Sequence, residues 1–225
     1  LTLGFAVALL IAAFFFPATR NVREAGRRTQ CRNNLKQIAL ALHNYHDFYG
    51  SFPPAFTVDE AGQPLHSWRT LILPFTENAE LYKTIDLSKP WNDPVNRKAF
   101  NTAVAAYRCP SAQIENNQTN YLGVSGEHSF FFQNQSRQLT DIKDGSSNTL
   151  MIVDAPPDLA IPWMMPQDAD LAAIQKIRAS KTLAHSGVFQ GTLCDGSVRS
   201  ISIQTEHATL NALVTIDGGE TVGEF

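Results

Sequence analysis

The chain has 225 residues, 44% of them hydrophobic and 17% charged, with 18 basic and 21 acidic side chains and a net charge of −3. A chain of this size buries roughly 70% of its unfolded surface, which excludes disorder for most of its length, and the acidic balance excludes a general nucleic-acid binder. Residues 1–19 carry no charge, residues 20–36 carry six basic groups against Glu24, and the remainder is left at −8. An uncharged apolar run leading into basic residues is the pattern of a membrane-proximal segment joined to a separate domain.

Fourteen of the first sixteen residues are Ala, Val, Leu, Ile or Phe. As a helix that run is about 24 Å long, slightly short of a hydrocarbon core of about 30 Å. The chain does not begin with Met, and a processed or trimmed front end is the expectation. Leu1, Leu3, Phe5, Val7, Leu10, Phe14, Phe15 and Phe16 make segment 1–17 apolar on every side, so lipid or copies of the same helix must cover it. Gly4, Ala6, Ala8, Ala12 and Ala13 permit close helix packing, and Pro17 predicts a break or kink. Over 18–50 the pattern turns amphipathic, with Leu35, Ile38, Leu42, Tyr45 and Tyr49 at spacings of three and four. Gly50 and then Phe52-Pro53-Pro54 end it, predicting one long helix over 1–49 and a head domain over 51–225.

Within the head, Trp68–Phe75 reads as helix or strand, Asn78–Ile85 as a short helix and Asp86–Arg97 as loop. Asp144-Gly145 precedes an apolar run, Asn148–Val153, and Asp168–Ser180 reads as a helix using Leu171, Ile174 and Ile177. Asp195-Gly196 lies between the strand-like Gly187–Cys194 and Ser197–Ile203, predicting a hairpin whose two-residue turn puts both Asp195 and Gly196 at positive φ.

The motifs that could carry chemistry are few and incomplete. His43 and His46 lack the HExxH pattern, and a solvated helix face is the favoured reading. Gly123-Val124-Ser125-Gly126 is half a nucleophile elbow without its final glycine. Asp141, Asp144 and Asn148 are candidate calcium ligands without EF-hand spacing, with turn formation favoured over binding. No cofactor and no catalytic residue is expected. Cys31, Cys109 and Cys194 are an odd set with neither CxxC nor metal-ligand spacing. One disulfide plus one buried thiol is the simplest arrangement outside the cytoplasm, three free thiols the alternative within it.

Six stretches carry a family resemblance: CRNNLKQIALALHNYHDFYGSFPPAF (31–56), SWRTLILPFTENAELYKTIDLSKPWNDP (67–94), YRCPS (107–111), TNYLGVSG (119–126), DIKDGSSNTLMIVD (141–154) and HSGVFQGTLCDGSVRSI (185–201). In this order they resemble a large planctomycete family of domains of unknown function with a C-terminal His-(x)9-Asp-Gly signature, here His185, Asp195 and Gly196. The resemblance implies a prepilin-like N-terminus and an α+β, type IV pilin-like fold, one long helix packed on an antiparallel sheet domain. Pilins begin with Phe and carry Glu fifth; these positions hold Leu1 and Phe5. The resulting expectation is a non-enzymatic structural subunit of an extracellular filament or pseudopilus. Its partners are copies of itself through the N-terminal helices, and the inner membrane before assembly, with no nucleic acid. The alternative is a monomeric, membrane-anchored surface domain that binds a glycan, calcium or another ligand. A Cys31–Cys109 disulfide is expected, with Cys194 free; its loop of about 78 residues would restrict the unfolded chain by roughly 4–5 kcal/mol. His185 is expected to hydrogen-bond near the Asp195-Gly196 turn.

Overall fold

One helix, α1 (Thr2–Tyr49), leads the chain. The computed structural model describes the backbone of residues 2–223 and 225 and the side chains of residues 22–223 and 225. The expected assembly residues Leu1, Leu3, Phe5, Val7, Leu10, Phe14, Phe15, Phe16 and Pro17, with the break expected at Pro17, lie outside the described side chains. Among the described residues, no helix is long and apolar enough to cross a membrane. At its other end α1 stops where Gly50 adopts φ +77°, a left-handed conformation that a residue without a Cβ takes up freely.

One face of α1 is buried: Cys31, Leu35, Ile38 and Leu42 have no exposed surface, and Asn34, Ala39 and Ala41 nearly none. The expected stripe therefore holds through Leu42. Tyr45 is half-buried and Tyr49 mostly exposed, because here the helix leans on Phe75, with ring centroids 5.7 and 6.2 Å apart.

In chain order the head carries β1 (Phe56–Val58), β2 (Pro64–Ser67), α2 (Trp68–Leu71), α3 (Ala79–Tyr82), α4 (Arg97–Phe100), β3 (Gln118–Thr119), β4 (Tyr121–Gly123), β5 (Leu150–Asp154), β6 (Ile161–Pro162), α5 (Leu171–Ala179), β7 (Val188–Leu193), β8 (Val198–Ser202) and α6 (His207–Val214). The main sheet has the order β4-β5-β7-β8, with every pair antiparallel. The pairs β1-β2 and β3-β6 form separate two-stranded sheets. Helices with an antiparallel sheet make the chain α+β.

The sheet is covered on both faces, and the two-residue period of a strand assigns each side chain to one of them. Tyr121, Met151, Cys194 and Val198 join the cluster that holds the buried face of α1. Leu122, Val153, Phe189, Leu193 and Ile201 join the opposite cluster with Ile174 and Ile177 of α5 and Leu210 and Leu213 of α6. A register shift between Leu150 and Ile152 breaks the alternation, which is why Met151 and Ile152 share the α1 side.

Several local expectations change. Trp68–Phe75 is helical, α2 followed by a 3-10 turn at Leu73–Phe75. Asp86–Arg97 is not all loop, since Asp93 accepts a bond from Val95 N at 2.9 Å and caps a 3-10 turn leading into α4. In α5, capped by Asp170, Ile174 and Ile177 are buried but Leu171 is exposed. The β7-β8 turn is one residue longer than expected, with Leu193 N bonded to Ser197 O and Gly196 N to Leu193 O, both at 2.9 Å. Only Gly196 takes positive φ, +82°. Asp195 instead accepts from Ser197 N at 2.8 Å, the forward bond of an Asx turn in a three-residue loop that closes on a left-handed glycine.

A buried ion pair joins α2 to the sheet. Arg69 and Asp168 pair with both side chains nearly excluded from solvent. Asp168 also accepts from Trp68 Nε1 at 3.1 Å and from Gly123 N at 2.7 Å. Arg69 Nε donates to Tyr121 O at 3.1 Å and lies 4.7 Å from the Trp68 ring.

Candidate functional site

Where α1 crosses the sheet, four segments bring Cys31, Cys109, Asp154 and His185 together. One ligand atom from each lies within 4.8 Å of all the others, and all four residues are buried. Cys31 comes from the buried face of α1 and Cys109 from the loop after Tyr107. Asp154 closes the otherwise apolar β5, and His185 precedes β7. Cys109 is placed by its own N–H, which donates to Asn120 Oδ1 at 2.9 Å. Asp154 Oδ1 accepts from Gln190 N at 2.9 Å, which leaves Oδ2 turned to the cluster.

Cys31 Sγ donates to Asp154 Oδ2 at 3.5 Å, and Tyr121 Oη donates to Cys31 Sγ at 3.2 Å. Cys109 Sγ lies 3.4 Å from His185 Nε2, which is 3.9 Å from Asp154 Oδ2. His185 Nδ1 is buried without a hydrogen bond, 3.5 Å from Glu24 Oε1. Ser111 Oγ holds that same oxygen at 2.7 Å.

These contacts divide the protons unevenly. The hydrogen bond from Cys31, with further help from His185, lowers the Cys109 thiol to about 5. Sharing that bond and being buried push the Cys31 thiol up. Burial pushes Asp154 up to about 7. Burial alone would lower His185, but the hydrogen bond and charge of Cys109, with Asp154, outweigh it and the imidazole is raised. A Cys–His pair is a nucleophile where it lines an open cleft; here all four residues are buried.

The disulfide expected between Cys31 and Cys109 is not formed in this structure: both are free buried thiols, as is Cys194, and the two expected partners are neighbours. The expected signature turn divides between two places. His185 belongs to the thiol cluster before β7, whereas Gly196, at the far end of that strand, packs toward His43 and Ala39 of α1. The calcium candidates are occupied by the chain itself. Asp144 accepts from Gly218 N and Gly219 N, both at 2.8 Å, Asp141 accepts from Gln138 N at 2.7 Å, and Asn148 donates to Asp144 O at 3.0 Å. They organise turns.

Residues 20–182 match the family described as Protein of unknown function (DUF1559). The chain belongs to that family. Cys31, Cys109 and Asp154 fall within the matched segment of this DUF1559 chain, and His185 lies just beyond it. No curated protein and no solved structure matches the chain.

Asp154, Glu24, Arg69 and Asp168 escaped sequence reasoning. The one available signal for Asp154 was a carboxylate ending the run Leu-Met-Ile-Val, where a buried charge demands a partner. A separate groove of about 650 Å³ runs between α1 and the loops after Leu73 and Val104, lined among others by Gln30, Gln37, Leu40, Phe75 and Arg108.

Proposed function

We propose that this DUF1559 chain is a non-catalytic structural subunit of a pilin-like extracellular filament or pseudopilus, built through its N-terminal helix after a stage in the inner membrane. The observation that carries this reading is the architecture: one helix of 48 residues, Thr2–Tyr49, whose later half is part of the head's core. Its first residues are the uncharged apolar run of the sequence. Two further features support it. Val22, Leu40 and Phe48 are exposed on α1 at 72%, 62% and 73%, leaving apolar surface for neighbouring copies. The basic stretch 20–36 also complements the −8 balance of the rest of the chain.

The test is assembly. The full chain should sediment as filaments visible by negative-stain microscopy of sheared cell-surface material. A chain lacking residues 1–17 should stay monomeric with a folded head, losing only the helical signal of the deleted turns and keeping a cooperative unfolding transition, because the core residues of α1 begin at Cys31. Leu40→Glu with Phe48→Glu should reduce filament yield without unfolding the head. Isolated monomers in a bilayer, with residues 1–17 against lipid alone, would overturn the reading in favour of an anchored binding domain, for which the groove beside α1 is a candidate ligand site.

A further inference from the structure

We infer that Cys31, Cys109, Asp154 and His185 form a structural zinc site that fastens α1 to the sheet. The inference does not depend on the filament reading. It begins with distances. A tetrahedral ion with bonds of about 2.0–2.3 Å holds its ligand atoms about 3.3–3.8 Å apart. The separations here are 3.4 Å for Cys109 Sγ to His185 Nε2, 3.5 Å for Cys31 Sγ to Asp154 Oδ2 and 3.9 Å for His185 Nε2 to Asp154 Oδ2, with every pair inside 4.8 Å. Four donors from four segments thus lie within the span that contracts slightly onto a tetrahedral ion.

The donor chemistry selects the metal. Two sulfurs with an imidazole nitrogen and one carboxylate oxygen suit a borderline-soft ion in tetrahedral geometry, and exclude calcium and magnesium, which take oxygen ligands in larger number. Four protein ligands in a buried site leave no open position for water or substrate, the mark of a structural centre.

The surrounding residues provide an independent argument. His185 Nδ1 is fully buried, bonds to nothing, and faces Glu24 Oε1 at 3.5 Å. With Nε2 on a metal, the ring proton sits on Nδ1 and points at that carboxylate, the arrangement that fixes tautomer and orientation in metal-bound histidines. Gln190 N occupies the other oxygen of Asp154, and Tyr121 Oη donates to Cys31 Sγ as it would to a thiolate. Binding displaces to solvent whatever protons the ligand atoms hold. Two thiolates and a carboxylate around a dication leave a net charge of −1, where the ligands alone would carry −3.

The experiment uses the full chain in detergent, reduced and stripped of metal, titrated with Co²⁺ and then Zn²⁺. The expected result is one ion per chain, with tetrahedral visible bands, thiolate-to-cobalt charge transfer in the near ultraviolet, and displacement of both by Zn²⁺. Cys109→Ser and His185→Ala should abolish stoichiometric binding. Because either variant can fail to fold, Glu24→Gln, outside the ligand set and half-exposed, is the second probe, and it should weaken zinc about 10–100-fold with unchanged circular dichroism. No stoichiometric ion on the reduced wild-type chain, or a cobalt spectrum without thiolate charge transfer, overturns the proposal. So does protein from native membranes with Cys31 and Cys109 joined as a disulfide, which removes both sulfur ligands.

Discussion

Two buried polar clusters share strand β4. At its Gly123 end, Asp168 receives Arg69, Trp68 Nε1 and Gly123 N, and Arg69 spends its remaining donors on the carbonyls of Tyr121 and Gln167. At its Tyr121 end, Cys31, Cys109, Asp154 and His185 face one another with ligand atoms all within 4.8 Å and His185 Nδ1 left over. The first cluster is closed by the chain. The second gathers two sulfurs, an imidazole and a carboxylate, and the proposed ion would complete it. Burial costs the charged form in both, so Asp168 and Asp154 are each raised above the usual carboxylate range; around Asp168 the charge of Arg69 offsets part of that cost.

The largest test of this contrast is Asp168→Ala. It strands the Arg69 guanidinium in the core and should cost about 3–5 kcal/mol in urea unfolding, equally with and without chelator. His185→Ala should behave differently, its cost appearing only when zinc is present and shrinking to a packing defect once the metal is removed. Equal losses for His185→Ala under both conditions would erase the distinction between the clusters.

Gly123→Ala probes the closed cluster through packing. A Cβ there would stand 2.6 Å from Phe131 Cδ2 and 3.0 Å from Trp68 Nε1, in the stack formed by those two rings at 5.0 Å. Overpacking should cost about 1–3 kcal/mol, and calorimetry of the variant checks it. A null result would mean that the stack yields freely.

The smallest effect is one of pH at His66. This side chain is fully buried, contacts Lys89 O through Nε2 at 2.8 Å and leaves Nδ1 without a partner. Burial lowers it below the usual histidine range, more than the Lys89 carbonyl restores. The unfolded chain therefore binds this proton more readily, so the contribution is present above the ordinary histidine pKa and is lost as pH falls through that value toward the folded one. Unfolding midpoints should decline on acidification in that window, and His66→Gln should flatten the decline.

Much of the secondary structure was legible because its causes are local. The stripe of Leu35, Ile38 and Leu42 gave the buried face of α1, Gly50 its end, Ile174 and Ile177 the core side of α5, and Gly196 the β7-β8 turn. The errors were local as well. A two-residue turn and a three-residue turn differ in the residues that close the loop and in the backbone of Asp195, and both satisfy the same Asp-Gly signal.

By itself, the sequence determined the buried stripe of α1, the helix α5 and the place of the β7-β8 turn, but left α2 open between helix and strand and gave no sign of α6. Tertiary structure decided who the partners are. Cys31 and Asp154 are 123 residues apart and Cys109 and His185 76 apart, and their meeting depends on the register that sets Tyr121 opposite Asp154 and on the seat of α1 across that face. Arg69 finds Asp168 across 99 residues for the same reason. Propensity, capping and turn chemistry act over a few residues, whereas a buried polar site is specified by strand register and helix docking, which only the assembled core defines.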